Sequence, residues 1–399
     1  MKNKLLLLVT AGLIIRLIMA FLPGFKIDVD AWFAWAVRLN EVGFANFYSD
    51  STWTNYTPGF LYILGVLGFL KKMLLINDRL FFLLLKIPAI LAEIFLGIFI
   101  YQKILKKSGW ATVAFTMILF TPVFIFNSSV WGQIDGLLSL MLVLSVYFLI
   151  QKKLILSSVF WGLAFLIKPQ ATAILPVLAL FLIKNLSIRN FLKVTIPASL
   201  TILLLSLPFF VNKPLGIINL FTKMVSDYPY TSLFAYNLWG IVGFWIKDER
   251  LWNNLSYQNW GYILVGGYLI ILSYLYLKKR LTLYAVGALA TLAFFFLPTR
   301  VHERYLYPAL VFLVITATQL KSKILVMLTA ILSLLHLLNL YQVYVYYNEI
   351  YSNVPKTLYN HFVYNFVNEN GKTLSTISLA IFIIISVIIF KSYASFEKD

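Results

Sequence analysis

Four polar clusters interrupt an otherwise apolar chain, and each combines residue types that do chemistry. Asp28-Val29-Asp30 places two carboxylates one residue apart. That spacing suits a divalent cation, or a general base held by its neighbour; two acids in a solvated loop are the plain alternative. Trp131-Gly132-Gln133-Ile134-Asp135 joins two apolar runs. Gln133 and Asp135 could simply cap the following helix, yet a cap does not call for Trp131 and Gly132 as well. Lys168-Pro169-Gln170 puts a point charge at a broken helix, where the ammonium and loosened backbone groups suit an anionic lipid phosphate. A lysine that merely snorkels has no need of the Pro-Gln break. Finally, Arg300-Val301-His302-Glu303-Arg304-Tyr305 lies between Pro298 and Pro308. Its arginines and His302 are phosphate donors, and Glu303 can orient them.

The elements that carry these clusters follow from composition. Of 399 residues, 61% are hydrophobic and 12% charged, and the mean hydropathy is +0.85. Soluble domains are about 45–50% apolar and about 25% charged, so lipid is the expected solvent for most of this chain. The net charge of +18 sits in short clusters between apolar runs, which points to the cytoplasmic leaflet rather than to nucleic acid. Cysteine is absent, so disulfides and thiolate metal sites are excluded. Lys2 and Lys4 precede an apolar run without a small-residue cleavage site, and that run reads as a first membrane helix, not a signal peptide.

Thirteen runs are long enough for helices: 4–22, 57–76, 80–103, 111–128, 134–150, 154–167, 170–184, 191–212, 260–278, 281–298, 304–320, 323–346 and 373–391. The expectation is an all-α, polytopic transmembrane helix bundle. Orientation comes from the basic clusters. These are Lys103, Lys106 and Lys107; Lys152 and Lys153; Lys184, Arg189 and Lys193; Lys278, Lys279 and Arg280; Lys321 and Lys323; and Lys391. With all of them cytoplasmic, loops 23–56, 129–133, 213–259, 299–303 and 347–372 and the Lys168 turn fall outside, provided that 57–76 does not cross. That segment starts at Pro58 and carries Gly59, Gly65 and Gly68, and it is expected to dip in and return. About twelve crossings result.

Two outer loops are long. Asp30 to Phe44 reads as an amphipathic helix lying flat at the interface, with Trp32 and Trp35 at headgroup depth. Loop 213–259 is rich in aromatics around Asp227, a composition that suits sugar rings and lipid headgroups alike. Three regions follow: a catalytic module over 1–212, the outer loop 213–259, and C-terminal helices over 260–399. With acids in one loop and cations in others, the outer face holds what displacing a lipid phosphate from a sugar requires. A carboxylate removes the acceptor proton, and cations stabilise the departing phosphate.

The ordered set of Asp28-Val-Asp30, Tyr56-Thr-Pro58-Gly-Phe-Leu-Tyr62, Trp131-Gly-Gln-Ile-Asp135, Lys168-Pro-Gln170 and His302-Glu-Arg-Tyr305 resembles GT-C glycosyltransferases over about residues 1–310. It is most similar to prokaryotic relatives of the second mannosyltransferase of GPI-anchor assembly. It is more distantly similar to dolichyl-phosphate-glucose-dependent glucosyltransferases. The resemblance implies a GT-C bundle with extracytoplasmic juxtamembrane helices in a prokaryotic plasma membrane. It also implies inverting transfer of one sugar, with mannose favoured, from a polyprenyl-phosphate donor to a glycan or glycolipid acceptor. Asp28 would be the base, with Asp30 second. Gln133 and Asp135 would line the sugar pocket, and Lys168, His302 and Arg304 would hold the donor phosphate. Tyr56, Trp131, Gln170, Asp227, Arg300 and Glu303 complete the candidate substrate-binding set. The family's Tyr-Pro-Pro and His-Glu-Lys become Tyr56-Thr57-Pro58 and His302-Glu303-Arg304 here, so acceptor and phosphate contacts differ. Some members use a divalent cation and others none, and these residues do not decide it. A transporter or lipid-linked-sugar flippase, and an oligosaccharide polymerase or ligase, are the alternatives. The absence of a second broken segment matching Lys168 speaks against the transporter. The acid pair directly after the first run speaks against the ligase.

Overall fold

All thirteen apolar runs are helical in the computed structural model, which describes residues 2–49, 53–106, 108–278, 281–352 and 355–394. Lys107, Lys279 and Arg280 of the basic clusters lie outside the described residues. In chain order the helices begin with α1 (Lys2–Ala20), α2 (Lys26–Val42), α3 (Pro58–Met73) and α4 (Asp78–Phe99). Next come α5 (Gly109–Phe120), the single turn α6 (Pro122–Ile125), α7 (Asp135–Ile150), α8 (Leu154–Ile167), α9 (Leu175–Lys184) and α10 (Ile188–Phe210). Loop 213–259 contributes α11 (Gly216–Ser226) and α12 (Leu238–Val242), and α13 (Tyr257–Leu277) and α14 (Leu283–Phe296) follow it. The chain closes with α15 (Tyr307–Gln319), α16 (Lys323–Tyr344), α17 (His361–Glu369) and α18 (Gly371–Ala394). The chain is thus all-α but for two-residue strand pairs. Among the described residues five helical segments are long and apolar enough to cross a membrane, or six if the bent pair spanning 109–131 counts as one.

The short helices are the central ones. α14 and α15 are buried along nearly their whole length, whereas α10 and α13 leave most of their apolar surface exposed. A helix that is apolar all round belongs either inside other helices or against lipid, and both cases occur here. Position decides between them, not composition.

Segment 57–76 forms α3, and two of its glycines mark close helix approaches. α3 starts beside Tyr56, and Lys71 in its last turn bonds Asp78 at the start of α4 (2.7 Å). Two turns further along α4, Lys86 Nζ donates to the carbonyls of Ala20 (2.9 Å), Leu22 (2.7 Å) and Val130 (3.3 Å). Val130 adjoins Gln133, to which Tyr56 bonds. α3 is thus tied to the Gln133 turn at its start and to the start of α4 at its end. A Cβ on Gly59 would meet the Leu166 carbonyl at 2.5 Å, and one on Gly68 would meet the Ala36 carbonyl at 2.3 Å. Glycine is what lets α3 close on α8 and α2.

One expectation for α2 needs correction. The helix exists, but it starts at Lys26, and its tryptophans are not at a lipid interface. Trp32 is 0% exposed and Trp35 3%; Trp32 packs edge-on against Phe60 of α3 at 4.9 Å and against Tyr56 at 6.1 Å. The apolar stripe was covered by protein, which offers a tryptophan face denser contact than headgroups do.

Charged residues inside the apolar runs lock the bundle. Arg16 of α1 donates to Glu93 of α4 (2.8 Å) and to the carbonyls of Leu119 (2.7 Å) and Ile118 (3.1 Å). Glu93 also accepts from Ser128 (2.7 Å) and from the Tyr307 hydroxyl (2.5 Å). Both charges are fully buried. Such a pair is tolerable only because the bonds satisfy it, and removing one partner would strand the other. The network ties α1 and α4 to Tyr307, which directly follows the His302 cluster.

Candidate active site

Local sequence shapes each of the four polar turns. Pro169 forces Lys168 out of the helical region (φ −150°, ψ 131°), as the residue before a proline must go, and α8 stops there. After Trp131 the chain turns through Gly132 at φ +94°, the left-handed value that favours glycine at a helix end. The Asn127 carbonyl then takes both the Gly132 and the Gln133 N–H groups (3.1 and 2.9 Å). Asn127 Nδ2 also reaches Asp135 Oδ2 at 3.1 Å, so the turn is stapled at both ends.

Residues from all four clusters meet. Asp28 Oδ2 accepts from Trp131 Nε1 (2.8 Å) and Gln133 Nε2 (2.6 Å). On the other face of Gln133, Oε1 accepts from Lys168 Nζ (2.7 Å) and from the Tyr56 hydroxyl (3.4 Å). Lys168 Nζ also pairs with Asp135 at 2.5 Å. Gln170 Nε2 donates to the Tyr305 carbonyl (3.0 Å), which brings the fourth cluster against the third. Asp28, Gln133, Asp135 and Lys168 thus form one continuous buried relay.

A cavity of about 250 Å³ opens beside this relay. Tyr56, Lys168, Gln170, Asp227, His302 and Arg304 line it together with Phe221, Met224, Tyr228 and Phe294. Three buried polar atoms of lining residues have no hydrogen-bond partner among the described residues: Arg304 Nε, Gln170 Oε1 and Asn55 Oδ1. Orphaned buried groups cost roughly 1–3 kcal/mol each, and a bound polar ligand would satisfy them. The wall is therefore cationic and polar on one side and apolar on the other.

Glu303 orients Arg304 and His302. Its carboxylate accepts from Arg304 Nη1 (2.9 Å) and lies 3.8 Å from His302 Nδ1. Burial alone would raise the Glu303 pKa, but the Arg304 guanidinium and His302 reverse this and hold it down to about 2. Burial, aided by the nearby Arg304 charge, lowers His302 below its ordinary value. Burial pushes the neighbouring Tyr305 hydroxyl up to about 12.

Two candidates stand apart. Asp30 is about half exposed and pairs with Lys26 one turn away on the far side of α2. Arg300 is committed to Asp248 (2.8 Å), whose carboxylate is fully buried and also takes the Thr299 hydroxyl (2.8 Å). Arg300 adopts φ +64° while its N–H bonds the Tyr230 carbonyl (2.9 Å). Beside it, Ser232–Leu233 pairs in parallel with Val301–His302. The Asp248–Arg300 pair thus fastens loop 213–259 over the His302 turn rather than contributing to the cavity.

The sequence reading passed over Asp248, Arg16, Glu93 and Lys86. The last three were visible as ionisable residues inside apolar runs, which is signal enough to single them out. Asp248 sat among loop charges with nothing to distinguish it. No group of three or more His, Cys, Asp or Glu side chains able to hold a metal occurs among the described residues. Compared with protein-family models and with curated proteins, the chain matches none of either, so the meaning of this cavity rests on its own residues.

Proposed function

We propose that the protein is an integral membrane glycosyltransferase of GT-C type. It moves one sugar, with mannose favoured, from a polyprenyl-phosphate donor to a glycan or glycolipid acceptor at the extracytoplasmic face. One observation carries the reading: a single cavity joins cations and an apolar wall beside a buried carboxylate relay. Lys168, His302 and Arg304 suit the donor phosphate, which guanidinium and ammonium groups hold through charge-assisted bonds. Phe221, Met224 and Phe294 suit the first isoprene units of its tail. Gln133 and Asp135 remain for the sugar hydroxyls.

The chemistry is a single displacement. The acceptor hydroxyl gives its proton to Asp28 as its oxygen bonds the anomeric carbon, and the bond from that carbon to the phosphate oxygen breaks. One displacement inverts the anomeric centre. Among the described residues both side-chain hydrogen bonds to Asp28 fall on Oδ2, which leaves Oδ1 to receive the proton while Trp131 and Gln133 hold the group in place. The phosphate leaves as polyprenyl phosphate, its charge met by the preorganised cations.

The basic clusters support the sidedness. α7 lies between the Gln133 turn and the basic turn at Lys152 and Lys153, α8 between that turn and Lys168, and α9 between the Pro169 turn and Lys184. α15 lies between the turn holding Arg304 and the basic turn at Lys321. Each has the candidate site at one end and a basic turn at the other, and basic turns face the cytoplasm.

The test is separate incubation of the purified full-length protein with polyprenyl-phosphate mannose, glucose and arabinose in a membrane lipid extract. Mass spectrometry is expected to show one donor consumed, with polyprenyl phosphate released and an acceptor heavier by one sugar. Consumption of none, or lipid flipping in proteoliposomes without any glycosylated product, would overturn the reading in favour of a transporter. Transfer of a preassembled chain would make it a ligase.

A further inference from the structure

The first turns of α2 divide two cavities. Asp28 faces Trp131 and Gln133, while Lys26 and Asp30 face a second cavity of about 280 Å³ between the end of α1 and the start of α4. We propose that this second cavity binds the phosphate of an anionic membrane lipid whose acyl chains remain in the bilayer. The proposal is independent of the transferase chemistry and needs only the membrane setting.

Charge is the first argument. Lys26, Arg79 and Lys86 line the cavity against a single carboxylate, Asp30. Lys86 is 2% exposed, and its ammonium is met by three backbone carbonyls and by no carboxylate within ion-pair distance among the described residues. Those carbonyls take up its protons, which leaves Lys26 and Arg79 to meet an anion, and a half-enclosed apolar wall focuses their field. The Arg79 guanidinium has no ion pair or hydrogen bond among the described residues, although it lines the same cavity. A free guanidinium fork is the side chain best matched to a phosphate.

The apolar rim says what the phosphate is attached to. Phe21, 68% exposed, and Phe82 border the cavity at the end of α1, the end that carries the site loops. A free anion gains nothing from the exposed Phe21 ring or the half-buried Phe82 beside it, whereas glycerol and the first methylenes of a lipid do. The volume lies just under the usual range of about 300–1,000 Å³ for ligand pockets, so it admits a headgroup and not a whole lipid. A phosphate bridging Lys26 and Arg79 would also brace the turn of α2 that carries Asp28 on its opposite face.

The experiment uses full-length protein in phosphatidylcholine nanodiscs, a diazirine-bearing phosphatidylglycerol probe, and peptide mapping by mass spectrometry. Label is expected on segments 20–24 and 79–86. Unlabelled phosphatidylglycerol should compete, and neither phosphatidylcholine nor inorganic phosphate should. The double variant Lys26→Gln/Arg79→Gln should lose labelling there by about tenfold with its thermal unfolding unchanged. Equal labelling of the double variant, or equal competition by phosphatidylcholine, would sink the proposal. Displacement by inorganic phosphate alone would replace the lipid with a free-anion site and also overturn it. Should the double variant unfold early, Leu83→Trp fills the cavity without touching its charges and must lose the label too. Full labelling of that variant counts against the proposal.

Discussion

Lys168 Nζ lies 2.5 Å from Asp135 Oδ1, with the Asp135 side chain fully buried and that of Lys168 nearly so. The pair joins the break between α8 and α9 to the first turn of α7 while Lys168 lines the cavity, so it serves the fold and the site at once. The two roles separate by mutation. Lys168→Met strands the Asp135 carboxylate and should cost about 3–5 kcal/mol, as should Asp135→Leu, which strands the ammonium. The double variant buries neither charge and should recover most of that loss, yet show no sugar transfer. Thermal unfolding and turnover measured side by side decide it. A double variant with wild-type turnover would remove Lys168 from phosphate binding.

Asp28 and Asp30 differ by one residue and should differ sharply in consequence. An Asn at 28 keeps an oxygen to accept from Trp131 and Gln133, so folding and donor binding are retained. It cannot take a proton, and transfer is expected to fall by ~10²–10⁴-fold. Asp30→Asn touches only its partner Lys26 and should shift stability by less than ~0.5 kcal/mol with transfer intact. Turnover that survives both substitutions would show that neither is the base.

Much of this arrangement was legible in the sequence, for identifiable reasons. Apolar runs marked every long helix because burial by protein or lipid leaves the same signature. Pro169 and Gly132 marked turns because each restricts or frees one backbone angle. The glycines of 57–76 were read as a dip and return, whereas two of them serve close approaches to Leu166 and Ala36. What stayed hidden was pairing across distance. Arg16 and Glu93 are 77 residues apart, and nothing local in either run names the other. The periodicity of α2 gave its apolar stripe, but a stripe of tryptophans does not say whether lipid or Phe60 will cover it. Arg300 looked like its neighbours until its φ of +64° and its bond to Asp248 turned it away from the cavity.

That last pair makes an asymmetric prediction. The Asp248 carboxylate is fully buried, whereas the Arg300 side chain keeps 22% of its surface exposed. Arg300→Ala therefore strands a buried charge and should cost about 3–5 kcal/mol. Asp248→Ala frees a guanidinium that can reach water, so its cost should be visibly smaller. Both should loosen loop 213–259 from the His302 turn, seen as faster proteolysis within that loop. Equal stability losses, or an unchanged proteolysis pattern, would mean the pair does not fasten the loop.

The His302 cluster also fixes how stability should respond to acid. His302 is lowered by its burial and by Arg304, so the unfolded chain takes up a proton there before the folded one does. Its contribution is complete above the unfolded value of about 6.5 and declines as pH falls through it. Glu303, held at about 2, adds stability that is complete above the unfolded value of about 4.3 and is lost between there and 2. Both slopes have the same sign, and the acid limb should show two stages. Unfolding temperature of the detergent-solubilised protein is expected to drop as pH falls through about 6.5, then again below about 4.3. His302→Asn should make the first stage shallower and keep the second. Glu303→Gln should lower stability at neutral pH, because it unpairs the buried Arg304, and should flatten the second stage. An acid limb of the same shape in both variants would place the titrating groups elsewhere in the molecule.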